Sequence, residues 1–88
     1  MKVKIDKSFE KDTKKVKDKK LLAKVADVIE QVQSSENNRG IKNLKKLKGS
    51  HNCYRIRVGE YRIGIIIEGE MVEFIRFLPR KNVYDQFP

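Results

Sequence analysis

The sequence has no tryptophan, one cysteine, one histidine and two prolines in 88 residues. Cys53, being alone, cannot close an intrachain disulfide. The opening Met1-Lys2-Val3-Lys4-Ile5-Asp6 has no apolar h-region, so no secretory signal is read there. Together these point to a cytoplasmic setting. No apolar run reaches the length of about eighteen residues that a bilayer-spanning helix needs. Length leaves no room for a second domain, so residues 1–88 are expected to form one. A chain this short buries only a little over ~60% of its unfolded surface, which predicts modest stability. No metal or cofactor is expected.

What the sequence has in excess is positive charge. Lysine and arginine number 21 against 12 acids, a formal net charge of +9. Partners are therefore expected to be anionic: nucleic acid, acidic protein or a lipid surface. The type of cation changes along the chain. Fourteen of the 15 lysines precede Gly49, and five of the 6 arginines follow it. Lysine is a mobile, strongly hydrated charge suited to solubility and steering, whereas arginine is a planar fork that grips phosphate with two bonds. A lysine-rich scaffold in the first half and a site in the second is the expected division.

Hydrophobic periodicity gives the elements. Val3 and Ile5 alternate with Lys2, Lys4 and Asp6 as in a short strand. Ser8 is a candidate N-cap for a first helix, with Phe9, Thr13 and Val16 on one stripe. Asp18 can cap a second, whose apolar positions Leu21, Leu22, Val25, Ala26, Val28, Ile29 and Val32 repeat at helical spacing before Ser34-Ser35 and Asn37-Asn38-Arg39-Gly40 end it. Ile41, Leu44 and Leu47, three apart among lysines, fit a short helical turn or an ordered loop. From Cys53 the period becomes two. Cys53–Val58, Tyr61–Ile67 and Met71–Leu78 read as strands joined by tight turns at Gly59-Glu60 and Glu68-Gly69-Glu70. The class is α+β in the order β-α-α-β-β-β. Two N-terminal helices pack on a mainly antiparallel sheet, and a short tail follows from Arg80 to Pro88.

A two-residue turn at Gly59-Glu60 sets Val58 opposite Tyr61, Ile56 opposite Ile63 and Tyr54 opposite Ile65. Those residues with Ile67, Val72, Phe74 and Leu78 form the expected core face under the helices. The other face carries Arg55, Arg57, Arg62, Gly64, Ile66, Glu73, Ile75 and Phe77. Arg57 then lies directly across from Arg62, and like charges so placed are destabilising by up to ~1 kcal/mol. Three arginines with only Glu73 as a neutraliser read as an anion-binding surface. If the tail folds back, Val83, Tyr84 and Phe87 can cover Ile75 and Phe77, bringing Arg80 and the Tyr84 phenol beside the arginines. Four guanidiniums and an aromatic ring suit single-stranded RNA, since forks hold phosphates and rings stack on unpaired bases.

Other candidates have ordinary readings. His51 lies in a Gly-Ser-His-Asn turn and reads as solvated rather than as a base. Cys53 has no paired histidine and reads as a small sheet residue. Tyr54 and Tyr61 fall on the core face. The lysines of residues 11–24 read as a solvated helix face, with steering toward RNA secondary.

Lys48-Gly49, the segment Tyr54-Arg55-Ile56-Arg57-Val58-Gly59-Glu60-Tyr61-Arg62-Ile63, and Arg80-Lys81-Asn82-Val83-Tyr84 closely resemble the C-terminal half of RelE/ParE-superfamily toxins of bacterial toxin–antitoxin modules. The element order is similar to the family's over the whole chain. The resemblance implies a small toxin, a monomer when free, held in a hetero-oligomer by a cognate antitoxin. The RelE-like branch cleaves mRNA on the ribosome, without metal, by attack of a ribose 2′-OH on the adjacent phosphate; the ParE-like branch inhibits DNA gyrase. Carried over by position, Arg62, Arg80 and Tyr84 match the family's site residues, and Arg55 and Arg57 sit where RelE-like members place basic residues. Lys45, Lys46, Lys48 and Lys81 are the candidate RNA-backbone contacts.

The departures bear on mechanism. A crowded lysine can lose its proton and act as a base, but arginine cannot. With arginine at 55 and 57, and Pro79 where many members carry histidine, the sheet offers no general base. The readings are a ribosome-dependent mRNA endonuclease, a gyrase inhibitor, and a non-toxic basic module that binds RNA or lipid.

Overall fold

A computed structural model describes all of residues 1–88. Four of its strands follow the hydrophobic alternation: β1 (Lys2–Ile5), β3 (Cys53–Val58), β4 (Tyr61–Glu68) and β5 (Met71–Pro79). A three-residue strand, β2 (Leu44–Lys46), joins them to complete a 5-stranded sheet ordered β1-β5-β4-β3-β2. Only β1 and β5 run parallel. Helix α1 spans Lys7–Lys14 and α2 Lys19–Ser34, while α3 (Arg80–Gln86) closes the chain. The α+β class and the expected order hold, with one strand and one helix added. No helix is long and apolar enough to cross a membrane.

Local chemistry accounts for the helix starts. Asp18 caps α2, its carboxylate accepting from the N–H groups of Lys20 and Leu21 at 3.0 and 3.2 Å. At α1 the cap is Asp6, not Ser8. Asp6 accepts from the Ser8 N–H at 3.1 Å, and the Ser8 hydroxyl, two residues past the cap, bonds to Asp6 and to the Ile75 carbonyl. The two bonds from Ser8, hydroxyl first, hold the Asp6 carboxyl below its ordinary value.

The main core lies between the sheet and the two long helices. Phe9, Val25, Val32, Ile56, Ile63, Ile65, Val72 and Phe74 are all buried there. Each such side chain stabilises by roughly 1.5–3 kcal/mol. Ala26, expected in this stripe, faces solvent. The segment left between a helical turn and a loop is instead β2, and the reason lies in its spacing. Residues three apart in a strand point to opposite faces, so Leu44 packs into the main core and Leu47 into a second one.

That second core sits on the other face of the sheet, under α3. It holds Leu47, Cys53, Leu78, Val83 and Phe87, with Ile66 and Ile75 against it. The tail thus folds back as expected, but as a helix. It covers Ile75 and not Phe77, and Tyr84 stays 60% exposed. A β-bulge explains the change. Gly64 pairs with Arg76 and Ile65 with Phe74, so Ile75 is an extra residue in β5. Beyond it the parity flips. Phe77, expected on the arginine face, enters the main core, where its ring stacks on Tyr61 at 4.8 Å; Leu78 moves the other way.

Beyond Ile5, β5 has no strand beside it, and α1 takes that place. Ser8 donates to the Ile75 carbonyl, and Asp12, one turn on, accepts from the Phe77 N–H at 2.9 Å. Side chains of a helix here satisfy the groups a neighbouring strand would have satisfied.

Candidate active site

The expected register of the first hairpin holds. Val58 pairs with Tyr61, Arg57 with Arg62, Ile56 with Ile63 and Arg55 with Gly64. Arg55, Arg57 and Arg62 therefore share the face that α3 partly covers. The Gly59-Glu60 turn is the meeting point. Arg62 bends back on it, its Nη1 donating to the carbonyls of Gly59 at 3.0 Å and Tyr61 at 2.9 Å. The N–H of Arg80 donates to the Glu60 carbonyl at 2.9 Å, which fixes the start of α3 beside the same turn. Tyr84 follows one helical turn after Arg80, on the same side of α3.

Arg62 is buried to 7% exposure, unusual for a cation. Burial, then the fields of Arg55, Arg80 and Arg57, push its guanidinium below its ordinary value, while Tyr84 acts in the opposite sense. An arginine remains a cation at neutral pH even so. The same four neighbours define the site: Arg55, Arg57, Arg62, Arg80 and Tyr84 form one cluster. None of these arginines is in an ion pair. The molecule's one ion pair is Arg76 with Asp12, elsewhere. Glu73, the expected neutraliser, lies across from Ile66 and Lys4 and makes no ion pair.

The second row of the cluster is built by Asn43. Its backbone is left-handed at φ 62, a region asparagine tolerates. That conformation aims its carbonyl at β3, where it accepts from the Arg57 N–H at 3.2 Å and from Arg55 Nη1 at 3.3 Å. Arg55 Nε is buried with no partner. Asn43, Leu44, Lys45, Arg55 and Arg57 line a hollow of about 270 Å³. A larger concavity of about 660 Å³ lies between α2 and β3 and meets the cluster only at Arg57.

The candidate backbone contacts divide. Lys45 pairs with Arg55 and shares its face; Lys81 is exposed beside Arg80. Lys46 pairs with Tyr54 and so lies on the other face. Lys48 and His51 are exposed in the β2–β3 turn, at the opposite end of β3 from Arg57. Cys53 is buried in the second core and Tyr54 packs against the main one.

Three supports escaped the sequence reading. Arg76 binds Asp12 through Nε at 2.7 Å and Nη2 at 3.2 Å, and Nη2 also reaches Gln86 Oε1 at 3.3 Å, so one guanidinium ties α1, β5 and α3 together. Asn43 is the second. The third is Gly64, where an added Cβ would lie 2.7 Å from the Phe87 ring. A glycine in mid-strand is the signal that marks a bulge or a close approach, and here it marks both. The arrangement as a whole can hold one or two phosphates by charge and fork geometry, with an exposed ring at the edge for a base.

The chain is similar to known proteins over nearly its whole length. The family of the ParE toxin of type II toxin–antitoxin system, parDE, matches residues 3–84. Toxin RelE3 of Methanocaldococcus jannaschii is 46% identical over 89 residues, covering all of both chains. The RelB–RelE antitoxin–toxin complex from Methanococcus jannaschii superposes with a TM-score of 0.81 at 43% identity, covering 97% of this chain and 99% of that one. The archaeal RelE–RelB complex from Pyrococcus horikoshii OT3 shares the fold at a TM-score of 0.73 and 22% identity, over 90% and 93%.

Proposed function

Since the chain belongs to the RelE/ParE superfamily of toxins of type II toxin–antitoxin modules, we propose that it is a ribosome-dependent mRNA endonuclease. The observation that carries this reading is the grouping of Arg55, Arg57, Arg62, Arg80 and Tyr84 on one face beside the Gly59-Glu60 turn, with none of these arginines in an ion pair. Such a cluster matches a phosphate on which charge gathers during reaction. The 2′-oxygen of one nucleotide forms a bond to the adjacent phosphorus, and the 5′-oxygen of the next leaves. The products are a 2′,3′-cyclic phosphate and a 5′-hydroxyl.

In this reading Arg62 and Arg80 hold the non-bridging oxygens, with the charge there greatest in the transition state. Arg55 and Arg57 hold the flanking backbone, helped by Lys45 and Lys81; Lys46 and Lys48 make outlying contacts. Tyr84, exposed at the rim, stacks on a base and turns the sugar so that its 2′-oxygen lines up behind the phosphorus. Guanidinium and phenol groups are poor general bases, so the 2′-proton passes to solvent or to the RNA, the leaving 5′-oxygen takes up a proton from the same source, and rate comes from charge and alignment. A cognate antitoxin, as RelB is for the related toxins, covers this basic face.

The test is brief expression followed by mapping of 5′ ends on a translated message. Cuts inside codons that disappear when translation is blocked are expected. Intact messages with arrested supercoiling would instead establish gyrase inhibition, the reading that the ParE family match favours. Growth without arrest would leave only a basic RNA-binding module.

A further inference from the structure

We propose that Asn43 is a positioning residue of the arginine site. Its backbone, and not its side chain, aims one carbonyl so that the Arg55 guanidinium is held beside Arg62, in place for the phosphate that flanks the scissile one. The role rests on the RNA-cleaving reading argued above.

One step beyond the Leu44–Ile56 pair, where β2 begins, Asn43 lies across from Arg57. In a regular ladder its carbonyl would lie near the plane of the sheet and meet one backbone N–H. A guanidinium from β3 stands off that plane, on a face of the sheet. The Asn43 backbone is turned to φ 62, the only residue other than glycine in the left-handed region. So turned, the carbonyl answers both donors, the Arg57 N–H at 3.2 Å and Arg55 Nη1 at 3.3 Å. Both bonds run to the carbonyl, while Asn43 itself is exposed. Glycine and asparagine hold this conformation readily, whereas a β-branched residue is an outlier there.

The bond to Nη1 decides where Arg55 goes. Lys45 stands directly across from Arg55 on the same face, and like charges so placed push apart. Asn43 lies on the site side of Lys45, so its carbonyl draws the guanidinium toward the Gly59-Glu60 turn. The result shows at Arg62. Register puts Arg57 directly opposite Arg62, yet among the charges acting on Arg62 the field of Arg55 is the largest. Arg55 Nε is buried without an acceptor. A buried N–H left unpaired is a cost that scaffolds rarely carry. Arg55 thus has one donor tied to the frame and others uncommitted, over a hollow that Asn43 and Lys45 also line. A fork pre-set in this way loses less freedom when an anion arrives.

The experiment compares Asn43→Val, which cannot keep the left-handed turn without strain, with Asn43→Gly, which keeps it and loses the side chain. Two readouts are taken on the full chain. One is the Nε–Hε resonance of Arg55 by NMR. The other is binding to a short single-stranded 2′-O-methyl RNA, which cannot be cut, as a function of salt. Asn43→Val is expected to move the Arg55 resonance toward that of a free arginine. It should also lose about threefold to tenfold in affinity near physiological salt, and its log–log salt slope should fall by about 0.7. Asn43→Gly should keep the parent resonance and stay within about twofold of the parent in affinity. In an Arg55→Ala background, Asn43→Val should cost little further affinity. Losses of equal size with and without Arg55, or as large in Asn43→Gly as in Asn43→Val, would overturn the proposal. So would an unchanged Arg55 resonance or unchanged affinity in Asn43→Val, or a parent chain with no affinity for RNA. Melting temperatures control for folding, and Asn43→Ala takes the place of a valine variant that does not fold. Mapping of 5′ ends is read separately: a chain that cuts no message yet shows this pattern would refute the nuclease and keep Asn43 as the residue that sets Arg55.

Discussion

Arg62 and Arg76 stand on neighbouring strands and are treated in opposite ways. Arg76 has a carboxylate within 2.7 Å, a second bond to the same acid and a glutamine beyond it. Arg62 is buried among other arginines, with backbone carbonyls as its hydrogen-bond acceptors. One cation is fully answered from within the chain, and it joins three elements of the scaffold. The other is left unanswered, and the charge it withholds from the fold is available to a ligand. In a molecule with 12 acids and a single ion pair, that allocation separates architecture from site.

Substitutions can break this contrast from either side. The largest effect is expected at the unanswered cations: Arg62→Ala or Arg80→Ala should lower turnover by about a hundredfold or more. Denaturation should move by no more than about 1 kcal/mol, because lost hydrogen bonds are offset by relieved repulsion. Growth arrest and 5′-end mapping read the first, urea titration the second. Asp12→Ala should do the reverse. It strands Arg76 and leaves the Phe77 N–H without an acceptor, which should cost about 2–4 kcal/mol, below the full value for a buried pair because Arg76 is partly solvated. If Asp12→Ala left stability intact, the division drawn here would fail.

Two smaller effects sharpen it. Tyr84→Ala should weaken RNA binding by about 1–3 kcal/mol, with melting unchanged, since the ring is 60% exposed. Asp6 supplies a pH dependence. Its carboxyl titrates below the unfolded value of 3.8, so its contribution to stability is present above that pH and disappears as pH falls through the folded value. Asp6→Asn should therefore melt slightly below the parent near pH 6, and the two curves should converge in acid. Curves that stayed parallel would remove Asp6 from the account.

How far the sequence could be read depended on how local the determinants were. The register of β3 with β4 followed from a two-residue turn at Gly59-Glu60, and with it the meeting of Arg57 and Arg62. The resemblance of the "RKNVY" segment placed Arg80 and Tyr84. The bulge did not show, because nothing around Ile75 marks an extra residue; only Gly64 across from it hinted at one. That single insertion exchanged the faces of Phe77 and Leu78. Strand β2 was hidden because its apolar residues serve two cores, which imitates helical spacing. Helix α3 was hidden by its brevity, although Val83 and Phe87 stand four apart as a short amphipathic turn requires. Arg76 reads in sequence as one more strand cation. Its role depends on Asp12, 64 residues away.

The borders of the sheet have a bearing on how copies of this chain meet one another. On one side β1 is four residues long and alternates lysine with valine or isoleucine, and past its end α1 occupies the hydrogen bonds of β5. On the other side β2 is three residues long, two of them lysine. Neither rim offers a long, neutral ribbon onto which a second copy could zip, so the molecules should stay dispersed rather than grow into fibrils.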